Sequence, residues 1–299
     1  MQELAEIRTL IARHAIPGNP GTVLPGLRLR TSDTPTTPVA GFYEPAFSLV
    51  AQGAKQTVLG ERSYRYQAGQ YLVVSIDLPI ASQVTRASPE EPYLACSMIL
   101  KPALIATLLL DSADSRRDTA STAGLAVSEA PPELLDSMLR LLRLLERPDD
   151  AAVLGPLLER EILWRLLRGE QGRLVRQIGL ADSRLSQIAR AVQWIRTHYA
   201  EALRIEYLAE VAGMSASSFH RHFRAVTAMS PLQYQKQIRL QEARTRLLAS
   251  AQNAAAVGFA VGYDSPSQFS REYSRLFGAP PGRDIARLRA DPPSGSEAA

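Results

Sequence analysis

Cysteine occurs once in the 299 residues, at position 96, and histidine only four times, at His14, His198, His220 and His222. A single cysteine excludes an intramolecular disulfide and any zinc cluster built on several thiolates, and it fits a reducing compartment. His220 and His222 are two apart on a helical pattern, so they point different ways and form no ligand pair. No metal and no cofactor is expected. Long hydrophobic runs are missing as well. The most apolar stretch, residues 102–110, is far shorter than the ~20 residues a membrane span needs. Residues 1–15 mix Glu3, Glu6, Arg8 and Arg13 with scattered apolar side chains, which is not a secretory start. There is no phosphate-cradling loop. Gly213-Met-Ser215-Ala-Ser217 opens like a nucleophile elbow but lacks the second glycine. These absences lead us to expect a soluble cytoplasmic protein with no membrane association and no enzymatic activity.

What is present is uneven. The hydrophobic fraction of 45% and the charged fraction of 21% are ordinary for a globular chain, and the length fits two domains with separate cores. The net charge of +4 is not spread along the chain. Residues 184–290 hold 15 Lys and Arg against seven Asp and Glu, a net of +8, whereas residues 1–183 carry a net of −2. A basic segment attached to a near-neutral body points to a polyanionic partner for the basic part.

Residues 2–14 read as a short amphipathic helix stopped by Pro17-Gly18. Short runs rich in Val, Tyr, Leu and Thr follow, at 47–51, 55–59, 63–67, 71–76, 83–85 and 93–100. Turn signals such as Leu59-Gly60-Glu61 and Gln67-Ala68-Gly69 punctuate them, which predicts a β barrel or sandwich. Helix takes over after Lys101. The segments 132–146 and 154–168 carry Leu on nearly every turn, with a break at Pro148-Asp149-Asp150, and they need a partner surface in the barrel or in a second copy of the chain. Residues 171–183, with Gly172 and Gly179, read as a linker, and 291–299, containing Pro292-Pro293-Ser294-Gly295, as a disordered tail.

The most specific feature is an internal duplication. Leu208-Ala-Glu-Val-Ala-Gly213-Met214, then Ser215-Ala-Ser-Ser-Phe219-His-Arg221-His-Phe223, is matched by Val257-Gly-Phe-Ala-Val-Gly262-Tyr263, then Asp264-Ser265-Pro-Ser-Gln-Phe269-Ser-Arg271-Glu-Tyr273. Each copy reads as helix, tight turn, second helix. Gly213 and Gly262 sit where the first helix must end, a position that favours φ > 0. Ser215 and Ser265 offer hydroxyls to the free N–H groups of the next helix, and Ser265-Pro266-Ser267-Gln268 matches a capping box. Phe219 with Phe223, and Phe269 with Tyr273, are i,i+4 pairs that mark the core side. The opposite faces hold Ser217, Ser218, His220, Arg221 and Arg224 in the first copy, and Ser267, Gln268, Ser270, Arg271 and Arg275 in the second. Hydrogen-bonding side chains in the first turns of an entering helix suit the reading of major-groove base edges. From Ser230-Pro231 a connecting helix is expected to about Ala249, some 28 Å at 1.5 Å per residue. That length suits two recognition helices about one DNA turn, ~34 Å, apart. Lys236, Arg239, Arg244 and Arg246 along it are candidate phosphate contacts.

At these residues the chain resembles the AraC/XylS family of transcriptional regulators. The resemblance covers 184–290 and includes Arg239-Leu240-x-x-Ala243-x-x-x-Leu247-Leu248 and the closing Phe277-Gly278-Ala279-Pro280-Pro281. It implies that both second helices enter successive major grooves, with Ser217, His220 and Arg221, then Ser267, Gln268, Ser270 and Arg271, facing bases. The segment from Val39 to Leu110, with Phe42-Tyr43-Glu44-Pro45 and Gly69-Gln70-Tyr71-Leu72-Val73-Val74, resembles the cupin-like, signal-sensing N-terminal domain of an AraC-type subgroup. One departure is Val257-Gly258, where the family pattern has Ile-Ala. A mid-helix glycine costs roughly 0.5–1 kcal/mol relative to alanine, so Gly258→Ala is expected to stabilise the second unit.

The reading is thus an α+β chain. An N-terminal cupin-like β barrel with Leu-rich helices (1–170) is the regulatory, effector-binding and dimerisation part. A linker (171–183) joins it to a C-terminal all-α domain (184–290) of two helix-turn-helix units joined by a long helix. The expected partners are double-stranded operator DNA, a small-molecule effector, a second copy in a homodimer, and RNA polymerase. A barrel lined by Tyr64, Tyr66, Tyr71, Val73 and Ile76 suits a mostly apolar effector. Cys96 joins the effector candidates under two readings. As one of the apolar side chains of its strand, with Leu94, Met98 and Leu100, it is core. As a reactive thiol it makes the protein an electrophile- or redox-switched regulator or, more distantly, a DNA-alkylation repair enzyme.

Overall fold

The computed structural model describes residues 2–112, 123–249 and 253–290. The chain divides into two compact units, one running to Ser186 and one beginning at Gln187. The tail expected at 291–299 lies outside the described residues.

The N-terminal unit opens with helix α1 (Gln2–His14) and continues through β1 (Leu27–Ser32), β2 (Val39–Tyr43), β3 (Ala46–Gln52), β4 (Ala54–Leu59), β5 (Arg62–Gln67), β6 (Gln70–Val74), β7 (Leu78–Arg86) and β8 (Tyr93–Ile99). After helix α2 (Pro102–Asp111) a last strand, β9 (Leu125–Glu129), returns to the sheet, followed by helices α3 (Pro132–Arg143), α4 (Pro148–Arg168) and α5 (Gly172–Gly179). The strands form two antiparallel sheets, ordered β1-β8-β3-β6-β9 and β2-β7-β4-β5. This is the jelly-roll-like arrangement expected of a cupin-like barrel.

Registration decides which side chains face which layer. Leu29, Cys96, Leu49, Tyr71 and Ser128 lie directly opposite one another across the five strands of the larger sheet. Side chains opposite one another share a face. Ser128 on that face accepts a hydrogen bond from Gln171, just ahead of α5, and Met98, two residues from Cys96, lines a cavity of about 180 Å³ with Leu141, Ala151 and Gly155 of α3 and α4. The row therefore faces the helices. Tyr71 and Val73 do not line the space between the sheets, contrary to the sequence-based expectation, and Cys96 is buried in the same row, as its core reading expects. A five-stranded sheet covered on both sides buries consecutive residues, so periodicity alone does not say which layer each one meets.

Two segments differ from expectation. Pro148-Asp149-Asp150, read as a break, is the first turn of α4, where proline lacks no needed N–H and acidic side chains favour the helix dipole. Residues 171–183, read as a linker, contain α5, whose Leu174, Val175 and Ile178 are buried. Their i, i+1, i+4 spacing gives a short amphipathic helix that packs on α2 and α4.

The C-terminal unit is helical. The boundary falls inside α6 (Arg184–Thr197), and α7 (Ile205–Ala212), α8 (Ala216–Thr227), α9 (Pro231–Ala249), α10 (Ala254–Ala260), α11 (Pro266–Phe277) and α12 (Pro281–Ala290) follow. The helix pairs α7–α8 and α10–α11 have cores of their own. Phe219 packs against Phe223 with its ring tilted and the centroids 5.4 Å apart, and Phe223 meets Tyr234 of α9 edge-on at 5.6 Å. Leu240, Ala243, Leu247, Val257, Val261, Phe269, Tyr273 and Ile285 form the second cluster. Beside it Asp284, 0% exposed, accepts two bonds from Arg244, one from Arg287 and one from the Tyr273 hydroxyl at 2.8–3.0 Å. A buried carboxylate needs such partners, because its desolvation is otherwise uncompensated.

Candidate nucleic-acid interface and sensing site

The two helix-turn-helix units share their local logic. In the first, α7 ends at Gly213 in the left-handed region (φ +66°), where the N–H of Met214 donates to Ala209 and that of Gly213 to Glu210. Ser215 then caps α8 by accepting from the Ser218 N–H at 3.4 Å. In the second, Gly262 (φ +94°) turns the chain, the Tyr263 N–H donates to Gly258, and Ser265 accepts from the Gln268 N–H at 3.4 Å ahead of Pro266. The Gln268 side chain does not complete the expected capping box. It turns forward and donates from Nε2 to Glu272 at 3.1 Å.

The paired aromatic residues go inward as their spacing predicts: Phe219, Phe223, Phe269 and Tyr273 are all buried. Ser217, His220, Arg221 and Arg224 are exposed on α8, as are Ser267, Arg271 and Arg275 on α11, with Gln268 and Ser270 partly so. Each unit thus brings its expected base-facing residues onto one solvent-facing side of its second helix. Among the described residues no hydrogen bond or ion pair engages the side chains of Arg221, Arg224, Arg271 or Arg275.

The basic residues of α9 behave differently, and here the sequence reading is corrected. Arg239, taken for a phosphate contact, donates to the carbonyls of Tyr199, Ala200, Glu201 and Gly262. Arg244 is tied to buried Asp284, Arg246 to Glu242 and the Tyr199 hydroxyl, and Lys236 to Glu272 at 2.7 Å. Arg239 thereby fastens α9 to the α6–α7 connection and to the turn of the second unit. Helical periodicity places these side chains on faces but cannot show that a carbonyl or carboxylate from 40 residues away meets them.

Gly258 is a second correction. A Cβ there would stand 3.0 Å from Cγ and Cδ1 of Phe269, a fully buried ring held between Tyr263 and Tyr273. The glycine lets α10 approach α11. The helix-propensity argument for alanine omits this contact.

In the N-terminal unit the sequence-predicted effector residues separate. Tyr71 packs on Phe47 at 5.4 Å on the helix-facing side, and Cys96 lies in the same row. Burial pushes the Cys96 thiol up to about 12, so the reactive thiolate is scarce near neutral pH. Its burial fits the core reading of Cys96. Among the described residues no group of three or more His, Cys, Asp or Glu is placed to hold a metal. Tyr64 and Tyr66 stand on β5, directly opposite Thr57 and Lys55 of β4. Lys55 is the residue that sequence reasoning missed. It is 5% exposed, its Nζ donates to the Tyr43 hydroxyl at 3.1 Å, and Tyr43 bonds Ser82 at 2.6 Å. Thr57 and Tyr66 share a bond of 3.3 Å beside it. Burial pushes the Tyr93 phenol up, with Lys55 opposing the shift, which places this residue of the facing sheet within electrostatic reach of Lys55. The only sequence signal was Lys55 alternating with Thr57 and Leu59 on one strand face.

The comparisons with known proteins fit this layout. The family model for the AraC-type transcriptional regulator N-terminus matches residues 23–174, and a helix-turn-helix domain model matches 208–287. The chain belongs to the AraC/XylS family of transcriptional regulators. The AraC-type chain is 28% identical over 157 residues to the transcriptional activator RhaS of Escherichia fergusonii, covering 52% of this chain and 55% of RhaS. It thus spans about half the length of the RhaS relatives it matches. It is 25% identical over 263 residues to the virulence regulon activator VirF of Yersinia enterocolitica, covering 85% of this chain and 93% of VirF. Among solved structures, ToxT of Vibrio cholerae bound to a naphthyl butenoic acid superposes with a TM-score of 0.56 at 9% identity, over 88% of this chain and 99% of ToxT. ToxT bound to an unsaturated fatty acid gives 0.51 at 10% identity, over 87% and 94%. At that identity the likeness is one of fold. Among the described residues no helix is long and apolar enough to cross a membrane.

Proposed function

We propose that this AraC-type protein is a sequence-specific DNA-binding transcriptional regulator, without enzymatic activity of its own. In it α8 and α11 each read base edges in the major groove, and the N-terminal unit senses a small molecule. One contrast carries the DNA reading. The arginines of α8 and α11 stand exposed and unengaged beside hydrogen-bonding residues, whereas the basic residues of α9 are spent on internal bonds. Base reading falls to Ser217, His220 and Arg221 in the first unit and to Ser267, Gln268, Ser270 and Arg271 in the second. Arg224 and Arg275, one turn further along, are placed for the phosphate backbone. Selection of binding sites from randomised duplexes by the full chain tests this. It should recover a bipartite motif; recovery of no common motif would reject the reading.

The effector is proposed to be an amphipathic molecule whose anionic head meets the Lys55–Tyr43–Ser82 cluster. The carboxylic acids bound by ToxT lend support for this ligand class in the fold. A carboxylic acid should raise the melting temperature of the protein more than the matching alcohol does, and Lys55→Met should abolish that difference. Val153, Leu154 and Leu157 of α4 are exposed, which favours self-association of the N-terminal unit. The names of RhaS and VirF, both transcriptional activators, favour activation; a cytoplasmic location and RNA polymerase as a further partner belong to the same proposal.

A further inference from the structure

Gln268 is not held in the same way as the other residues assigned to base reading. Its Nε2 donates to Oε1 of Glu272, one helical turn along α11, at 3.1 Å. Glu272 is itself fixed from two other elements. Lys236 of α9 donates to the same Oε1 at 2.7 Å, and the Tyr263 hydroxyl, in the turn before α11, donates to Oε2 at 2.8 Å. Burial raises the Glu272 carboxyl, but the bonds from Lys236, Gln268 and Tyr263 outweigh it and leave the group below the ordinary range, ionised at neutral pH. A carboxylate accepts and does not donate, so only the nitrogen of the Gln268 amide can face it. Rotating the amide by half a turn would set two oxygens against each other beside a fixed negative charge.

We infer that Glu272 is a positioning residue for sequence reading. By pinning Nε2 it fixes the Gln268 amide with Oε1 and the remaining N–H presented together. That donor–acceptor pair matches a base carrying an exocyclic amine in the major groove. Adenine is the best fit, its N6 donating to Oε1 and its N7 accepting from the free N–H. Guanine, with acceptors at both O6 and N7, would meet the fixed Oε1 and be disfavoured. The first unit has no equivalent. Ser218 and His222 occupy the matching steps of α8, so the device gives the two half-sites different rules. The inference rests on α11 entering the major groove, and the test below separates the two ideas.

Randomised duplexes are selected with the full chain, with Glu272→Gln, with Gln268→Ala and with the double variant, and thermal unfolding is recorded for each. Glutamine at 272 keeps the size of the side chain, but its amide turns either way and releases the Gln268 amide. The wild type should prefer adenine at one position of one half-site. Glu272→Gln should cut its discrimination against guanine there about tenfold and leave other positions unchanged. In the Gln268→Ala background the same substitution should change no base preference, because it acts only through that amide. Three results would overturn the inference while leaving the DNA-binding reading intact: unchanged preferences in Glu272→Gln, a uniform loss of affinity across all sequences, or an effect that persists without Gln268. A wild-type chain that selects no motif would overturn both.

Discussion

Gly258 and Gly262 set how closely the second helix-turn-helix unit packs. Helix propensity favours alanine at 258 by roughly 0.5–1 kcal/mol, but overpacking against a buried ring costs about 1–3 kcal/mol, so Gly258→Ala should lower the stability of the C-terminal unit. A fall in its melting temperature checks this, and a rise would show that Phe269 yields freely. Gly262→Ala should be more damaging than Gly213→Ala. Both pay for positive φ, about 1–2 kcal/mol, but a Cβ at Gly262 also collides with the Ala200 carbonyl and Arg239, whereas one at Gly213 meets its nearest neighbour at 3.8 Å. Denaturant midpoints of the two variants give the order. The capping serines and the inward aromatic pairs were legible from the sequence, because each acts within one or two helical turns of its own position. The Gly258–Phe269 contact and the four carbonyls on Arg239 were not, because they join elements whose proximity exists only once the unit has folded.

At the scale of elements, α3 and α4 are joined by a charged contact as well as by leucines. Arg140 grips both oxygens of Glu161, at 2.6 and 2.8 Å, and Ser137 adds a third bond. The Arg140 bonds hold the Glu161 carboxyl at about 2, against an ordinary value of 4.5. On unfolding it returns to the ordinary range, so its contribution is full above about pH 4.5 and is lost as the pH falls toward 2. With the pair partly solvated, that contribution is discounted to about 1 kcal/mol. Glu161→Gln should flatten the pH dependence of N-terminal stability between pH 5 and 2 (roughly this window) while changing the C-terminal unit little. An unchanged acid profile would contradict the account. Asp284 plays the corresponding part for α9 and α12. Asp284→Ala strands Arg244 and the Tyr273 hydroxyl and should cost the C-terminal unit roughly 3–5 kcal/mol, read from its denaturant midpoint. Element types were largely readable from the sequence, since the Leu-rich helices and six of the strands announce themselves by period. β1, β2 and β9 were not. Each exists through its pairing with β8, β7 and β6 respectively rather than through a pattern of its own.

Over the whole molecule, the charge contrast between the two halves pointed to the unit that holds the helix-turn-helix pair but overstated how much of its basic surface is available. Of the basic side chains on α8, α9 and α11, Arg221, Arg224, Arg271 and Arg275 stand exposed, while Lys236, Arg239, Arg244 and Arg246 hold the unit together. In the proposed complex α8 and α11 read separate half-sites through equivalent arginines. Motif selection by the full chain and by its Arg221→Ala and Arg271→Ala variants tests it most directly. Each substitution should cost about 1–3 kcal/mol on the selected duplex and relax base preference in one half-site only, a different half for each. Uniform weakening across all sequences, or relaxation of the same half-site by both variants, would contradict the account.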